Sequence, residues 1–172
     1  VKLRNPLILA SATTGWDGHG CHQAWINQAG AIVPKTFGPP AKFQHHPRCG
    51  RMKVVRVGKT QIGMINNELY TTMTLEEWLD RELRIATQGD AAIIASVVAQ
   101  PDPGLTAANA RKIADTGKVV MFEINVSCPM PSDQSKVGFM MGCDPEMCAL
   151  QVKAVKRAVT LPVGIKLTPT TH

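Results

Sequence analysis

The sequence predicts an α/β fold built on a parallel sheet with helices outside it. Three observations lead there. Apolar runs of strand length recur along the 172 residues, separated by segments with helix signals. The runs are apolar throughout rather than alternating, as in strands covered on both faces. Hydrophobic residues make up 44% of the chain and charged residues 19%. That is globular usage and excludes a disordered tail, a collagen-like rod and a coiled coil.

The elements follow in order. Leu7-Ile8-Leu9-Ala10-Ser11 reads as a buried strand that stops at Thr13, Thr14 and Gly15. Residues 19–29 read as a helix closed by Gly30, and Ala31-Ile32-Val33 as the next strand, ending at Pro34-Lys35-Thr36. Residues 38–50, rich in Pro, His and Gly, form a long loop, with an extended or hairpin segment over 52–57. Thr74 followed by Glu77 is a capping box. It opens an amphipathic helix to about Thr87, with Leu75, Trp78, Leu79, Leu83 and Ile85 apolar.

Ala91 to Val98 is the third buried strand. Thr106 is read as the cap of a helix over 107–115, stopped by Gly117. Val119 to Ser127 is the fourth strand. Asp144-Pro145-Glu146 combines a cap, a first-turn proline and an acid near the positive helix end, so a helix runs from there to about Ala158. Pro162 to Leu167 is the fifth strand. No internal linker or fixed-period repeat is visible, and residues 1–172 read as one domain. Pattern alone leaves a doubly wound sheet and a (β/α)8 barrel both open. In either, chemistry lies past the C-terminal strand ends.

Composition narrows the function classes. The formal net charge is +6 and the pI about 9.2. The densest basic segment, Arg48, Arg51, Lys53, Arg56 and Lys59, has few interleaved aromatics and reads as a solvated loop and strand edge. No nucleic-acid partner is expected, and the positive charge suits an anionic cofactor or substrate better. No apolar run approaches the roughly 18–20 residues of a membrane span. No membrane partner is expected. The five cysteines, Cys21, Cys49, Cys128, Cys143 and Cys148, form no CxxC pair, and the histidines lack ligand spacing. The expectation is no metal, reduced thiols and a cytoplasmic location.

The strand-end rule supplies candidate residues. Asn125-Val126-Ser127-Cys128-Pro129 places an amide, a hydroxyl and a thiol together at one strand end. Asn125 both donates and accepts, matching an amide or heterocycle edge. A Cys with a pKa of about 8.5 can transfer protons near neutral pH, although free Cys is as often core. Lys35 and Lys166 each end an apolar strand, where a lysine is costly unless solvated or paired. Two such lysines would form a cationic floor for a phosphate, a carboxylate or a reduced flavin ring; each alone reads as a snorkelling rim lysine. Ile65-Asn66-Asn67-Glu68-Leu69 is either a turn cap or a ligand contact. Met140-Met141, flanked by Gly138 and Gly142, is either a mobile lid or a core patch.

These motifs coincide with those of a known family. The chain resembles the FMN-dependent dihydroorotate and dihydropyrimidine dehydrogenases. The carrying residues are Leu3-Arg4-Asn5-Pro6, Leu9-Ala10-Ser11, Lys35-Thr36, Pro47-Arg48, Ile65-Asn66, Glu123 to Pro129, and Pro162 to Pro169 with its Lys-Leu-Thr-Pro. Asn66-Asn67-Glu68-Leu69 and the long loop from Pro129 to Cys143 resemble the dihydropyrimidine dehydrogenase branch. The expected reaction is therefore interconversion of a pyrimidine base and its 5,6-dihydro form, with dihydroorotate oxidation or a non-catalytic barrel fragment as alternatives. The sequence departs from the family pattern at Met130 and Thr170.

The resemblance implies an FMN-binding (β/α)8 TIM barrel, of which residues 1–172 would be the N-terminal part, with about five of eight strands. Cys128 would be the general acid and base, with Lys35 also catalytic. Ala10, Ser11, Lys35, Thr36, Asn125 and Lys166 would contact the cofactor. Asn66, Asn125 and Ser127 would hold the pyrimidine. Gly-rich phosphate loops would come from later sequence, and any NAD(P)H or iron–sulfur site from parts outside this chain. A homo-oligomer or a complex with an electron-transfer subunit is expected.

Overall fold

A computed structural model describes residues 1–37, 52–66, 71, 73–127 and 139–167. Strand β1 (Ile8–Leu9) is followed by a 3₁₀ turn (Thr13–Gly15), helix α1 (Gly18–Ile26) and β2 (Ala31–Ile32). An antiparallel hairpin, β3 (Met52–Val57) and β4 (Thr60–Asn66), comes next. A helical stretch then runs through α2 (Leu75–Glu77), a π-helical turn (Trp78–Glu82) and α3 (Leu83–Ala86). The rest alternates β5 (Ile94–Val98), α4 (Pro103–Ala114), β6 (Met121–Asn125), the short α5 (Phe139–Gly142), α6 (Pro145–Ala158) and β7 (Val163–Lys166).

The sheet is parallel, as the unalternating apolar runs predict. β1 pairs with β2, and β5, β6 and β7 pair in that order. Parallel bridges Ile32↔Ile93 and Phe37↔Val97 connect the two groups, so five parallel strands lie side by side. Alternation gives the sheet two faces. Ala95, Val97, Phe122 and Ile124 join the main core with Trp78, Leu83, Ala110, Ile113 and Val155 from the helices. Ala31, Val33 and Ile94 form a smaller cluster with Leu3, Ala92, Val120 and Met121. Burying an apolar side chain of Leu, Ile or Phe size is worth about 1.5–3 kcal/mol, so the helix-side core dominates stability.

Several sequence expectations need amending. The run over 7–11 contributes only two strand residues, and Leu7 and Ile8 are exposed, because β1 has a described neighbour on one side only. β7 is half-buried for the same reason. Helix α4 starts three residues before Thr106. Asp102 caps it by accepting from Gly104 N–H, and Pro103 occupies the first turn. Thr106 is fully buried and instead accepts from Gln100 N–H at 2.9 Å. The Thr74–Glu77 capping box forms in both directions, and the expected helix continues beyond it with one wide turn. That turn buries Glu82, whose Oε2 accepts from Gly18 N–H at 2.7 Å and so ties the start of α1 to it. Met141 is buried in the core, which decides that residue's reading as packing.

Candidate functional site

The C-terminal ends of the parallel strands carry one connected set of polar side chains. Its position follows from the bridge at Phe37. Phe37 N–H donates to Ser96 C=O and Val98 N–H donates to Phe37 C=O, both at 3.1 Å. The segment after β2 is thereby laid against β5, with Thr36 directly over Ser96. Thr36 Oγ1 lies 2.9 Å from Ser96 Oγ and 3.1 Å from Ser11 Oγ, and it accepts from Asn125 Nδ2 at 2.9 Å. Thr36 N–H donates to Ser11 Oγ at 3.0 Å. Ser96 Oγ donates to Glu123 Oε1 at 2.9 Å, and Lys166 Nζ stands 3.2 Å from the same oxygen. Five neighbouring strands are thus joined from Ser11 to Lys166.

Register explains the grouping. Ser96 pairs with Glu123, Val98 with Asn125, and Asn125 with Lys166. In-register and alternate residues share a face, so Ser96, Glu123, Asn125 and Lys166 point the same way. Thr36, Ser96 and Asn125 are buried, while Glu123 and Lys166 are part-exposed. Asn125 Oδ1 accepts from both the N–H and the hydroxyl of Ser127 at 2.9 Å. That leaves one Nδ2 hydrogen of Asn125 uncommitted among the described residues. Lys35 is buried, its N–H donates to Gly15 C=O at 2.8 Å, and its ammonium stands 5.6 Å from the centre of the Trp16 ring. Ala10 is exposed just past β1.

The structure therefore gathers Ser11, Thr36, Asn125, Ser127 and Lys166, with Lys35 beside Thr36 in the same segment. Asn66 ends β4 opposite Met52, and its side chain lies outside the described residues. Cys128, Asn67 to Leu69, Met130 and Thr168 to Thr170 also lie outside them. The expected cationic floor is amended. Lys166 is not an isolated cation, because Glu123 shares its charge. Sequence reasoning assigned no role to Ser96 or Glu123. Both were visible as polar interruptions of apolar strands, which need a partner when buried. A separate groove of about 850 Å³ lies along α6 and β7, lined by Cys148, Val152, Ile165 and Leu167 among others. None of the joined polar residues lines it.

Buried amide, hydroxyl and lysine groups at the C-terminal edge of a parallel α/β sheet lie where folds of this class bind small polar molecules or cofactors. Comparison with known proteins makes the class specific. The sequence model of the dihydroorotate dehydrogenase family matches residues 1–172, and the chain belongs to that family. Its members are FMN-dependent oxidoreductases acting on CH–CH bonds. Among its relatives is the dihydroorotate dehydrogenase B (NAD(+)) catalytic subunit of Methanocella arvoryzae, 34% identical over 170 residues, covering 98% of this chain and 51% of that protein. The protein of the same name from Listeria monocytogenes serotype 4a is 32% identical over 169 residues, covering 98% and 52%. That from Thermoanaerobacter sp. strain X514 is 31% identical over 169 residues, with the same coverage. The chain spans about half the length of these relatives. They bear the dihydroorotate name, which favours that alternative over the dihydropyrimidine branch expected from Asn66 to Leu69.

Proposed function

We propose that residues 1–172 form the N-terminal part of an FMN-binding (β/α)8 barrel that oxidises dihydroorotate to orotate. The observation that supports this reading most is the connected edge from Ser11 through Thr36, Ser96 and Glu123 to Lys166, in a chain matched by the family throughout. The donor set fits a flavin ring. Ammonium groups at Lys35 and Lys166 and the remaining Nδ2 hydrogen of Asn125 suit carbonyl oxygens and negative charge.

When bound, FMN supplies the hydride chemistry. The chain's residues supply position and protons. Thr36 and Ser11 hold the floor of the site and Asn125 directs an N–H into it. Lys166 stabilises negative charge at the ring. Cys128, three residues beyond Asn125, removes the proton from the substrate carbon during oxidation and returns it in the reverse direction. Ser127 and Asn66 hold the amide edges of the substrate. The relatives are named as catalytic subunits of an NAD(+) enzyme; an electron-transfer subunit is the corresponding partner here.

The test uses full-length protein. A visible flavin spectrum is expected, and a folded protein without one would sink the flavin reading. Cys128→Ala is expected to lower turnover on the order of 10²–10⁴-fold with the flavin still bound, as for a lost general acid or base. Unchanged turnover would remove Cys128 from that role.

A further inference from the structure

Glu123 is the acid of the cluster and has no part in the reaction outlined above. It sits on β6 in register with Ser96 on one side and Gly164 on the other. Its side chain is only 20% exposed on a strand whose neighbours Phe122 and Ile124 are fully buried. A carboxylate in such a place needs partners. Those in the described residues are Ser96 Oγ at 2.9 Å and Lys166 Nζ at 3.2 Å, both on Oε1.

The carboxylate also orders the hydroxyls. A carboxylate only accepts hydrogen bonds, so Ser96 gives its single hydroxyl hydrogen to Glu123. Ser96 must then accept at its contact with Thr36, and Thr36 Oγ1 is the donor there. Thr36 has no second hydrogen, so it accepts from Asn125 Nδ2 and from Ser11 Oγ. Ser11 in turn accepts from Thr36 N–H. Each hydroxyl hydrogen points toward Glu123, from Ser11 through Thr36 and Ser96. Ser11 is left offering a lone pair, not a hydrogen, to a group above it.

We propose that Glu123 is a positioning residue for the flavin site: it holds the Lys166 ammonium, offsets its charge, and fixes the hydroxyl order as far as Ser11. This rests on the reading that a flavin lies over these strand ends. An ammonium opposed by a carboxylate stabilises a reduced, negatively charged ring less than an unopposed one. Glu123 therefore lowers the tendency of the flavin to accept electrons. The amide oxygen of a Gln at this position can still accept from Ser96, so Glu123→Gln removes charge while keeping the hydroxyl order.

The experiment compares the flavin midpoint potential of full-length wild-type protein with that of E123Q and E123D, by equilibration with redox dyes. In E123Q the ratio of reduced to oxidised flavin at a fixed poise is expected to rise about tenfold, a shift of about +30 mV for a two-electron couple. E123D, whose shorter carboxylate withdraws from Lys166, is expected to shift the same way by less. It serves as the deciding variant if E123Q does not fold. Flavin bound with an unchanged potential would overturn the inference and leave the functional reading standing. A folded wild-type protein without flavin would overturn both.

Discussion

Thr36 and Asn125 lie 89 residues apart in sequence and are joined by a 2.9 Å hydrogen bond from Asn125 Nδ2 to Thr36 Oγ1. The bond links the segment after β2 to the end of β6 across β5. Both residues are buried, so water cannot replace either partner readily. Thr36→Val keeps the shape and removes the hydroxyl. Ser11, Ser96 and Asn125 then each lose a partner. Destabilisation of about 1–3 kcal/mol is expected for full-length protein in urea unfolding, with weaker FMN binding. Unchanged stability and FMN affinity would show that the hydroxyl is dispensable.

Gly142 packs against the same strand end from outside. A Cβ at this residue would lie 2.6 Å from Val126 C=O. Val126 stands between Asn125 and Ser127, so moving it disturbs the bonds that aim the Asn125 amide. Gly142→Ala is expected to cost about 1–3 kcal/mol as overpacking and to weaken FMN binding in a fluorescence titration. Wild-type values for both quantities would contradict this.

The thiols should differ in reactivity. Burial, helped by the Asp17 and Glu82 carboxylates, pushes the Cys21 thiol up to about 12. Cys148 is also raised, chiefly by burial, with Asp144 and Cys143 adding to it. Cys143 is exposed. At pH 8 the thiolate fraction of Cys21 is about one in ten thousand. Among the three described thiols, alkylation followed by peptide mass mapping is expected to find Cys143 modified before Cys148, and Cys21 only after unfolding. Fast labelling of Cys21 in folded protein would refute its placement. Because the folded state holds this proton more tightly, the stability it contributes is present below pH 9 and falls as pH rises toward about 12.

Much of this arrangement was legible in the sequence. The unalternating runs at 31–33, 91–98 and 119–127 announced parallel strands because both faces of such strands are covered. Asp144-Pro145 placed the start of α6, since cap and proline act locally. Asp102-Pro103 offers the same cap and first-turn proline but no following acid, and the sequence reading places that cap at Thr106 instead. Thr36, Asn125 and Lys166 were found because strand ends are where the fold collects polar groups. The partnership of Lys166 with Glu123 was not found. Periodicity shows that a charged residue interrupts an apolar strand, but its partner depends on which strands become neighbours. That neighbour relation is a long-range property, set here by the register of β6 against β7. The exposure of Leu7 and Ile8 was hidden for a related reason, since an apolar run does not reveal whether its strand is central or at an edge.

The most direct test of the central claim is an anaerobic half-reaction. Full-length protein is mixed with dihydroorotate in the absence of any electron acceptor, and the visible flavin absorbance is followed. Rapid bleaching by dihydroorotate, with little change on adding dihydrouracil or dihydrothymine, is the predicted result. Bleaching by the dihydropyrimidine bases and not by dihydroorotate would contradict it.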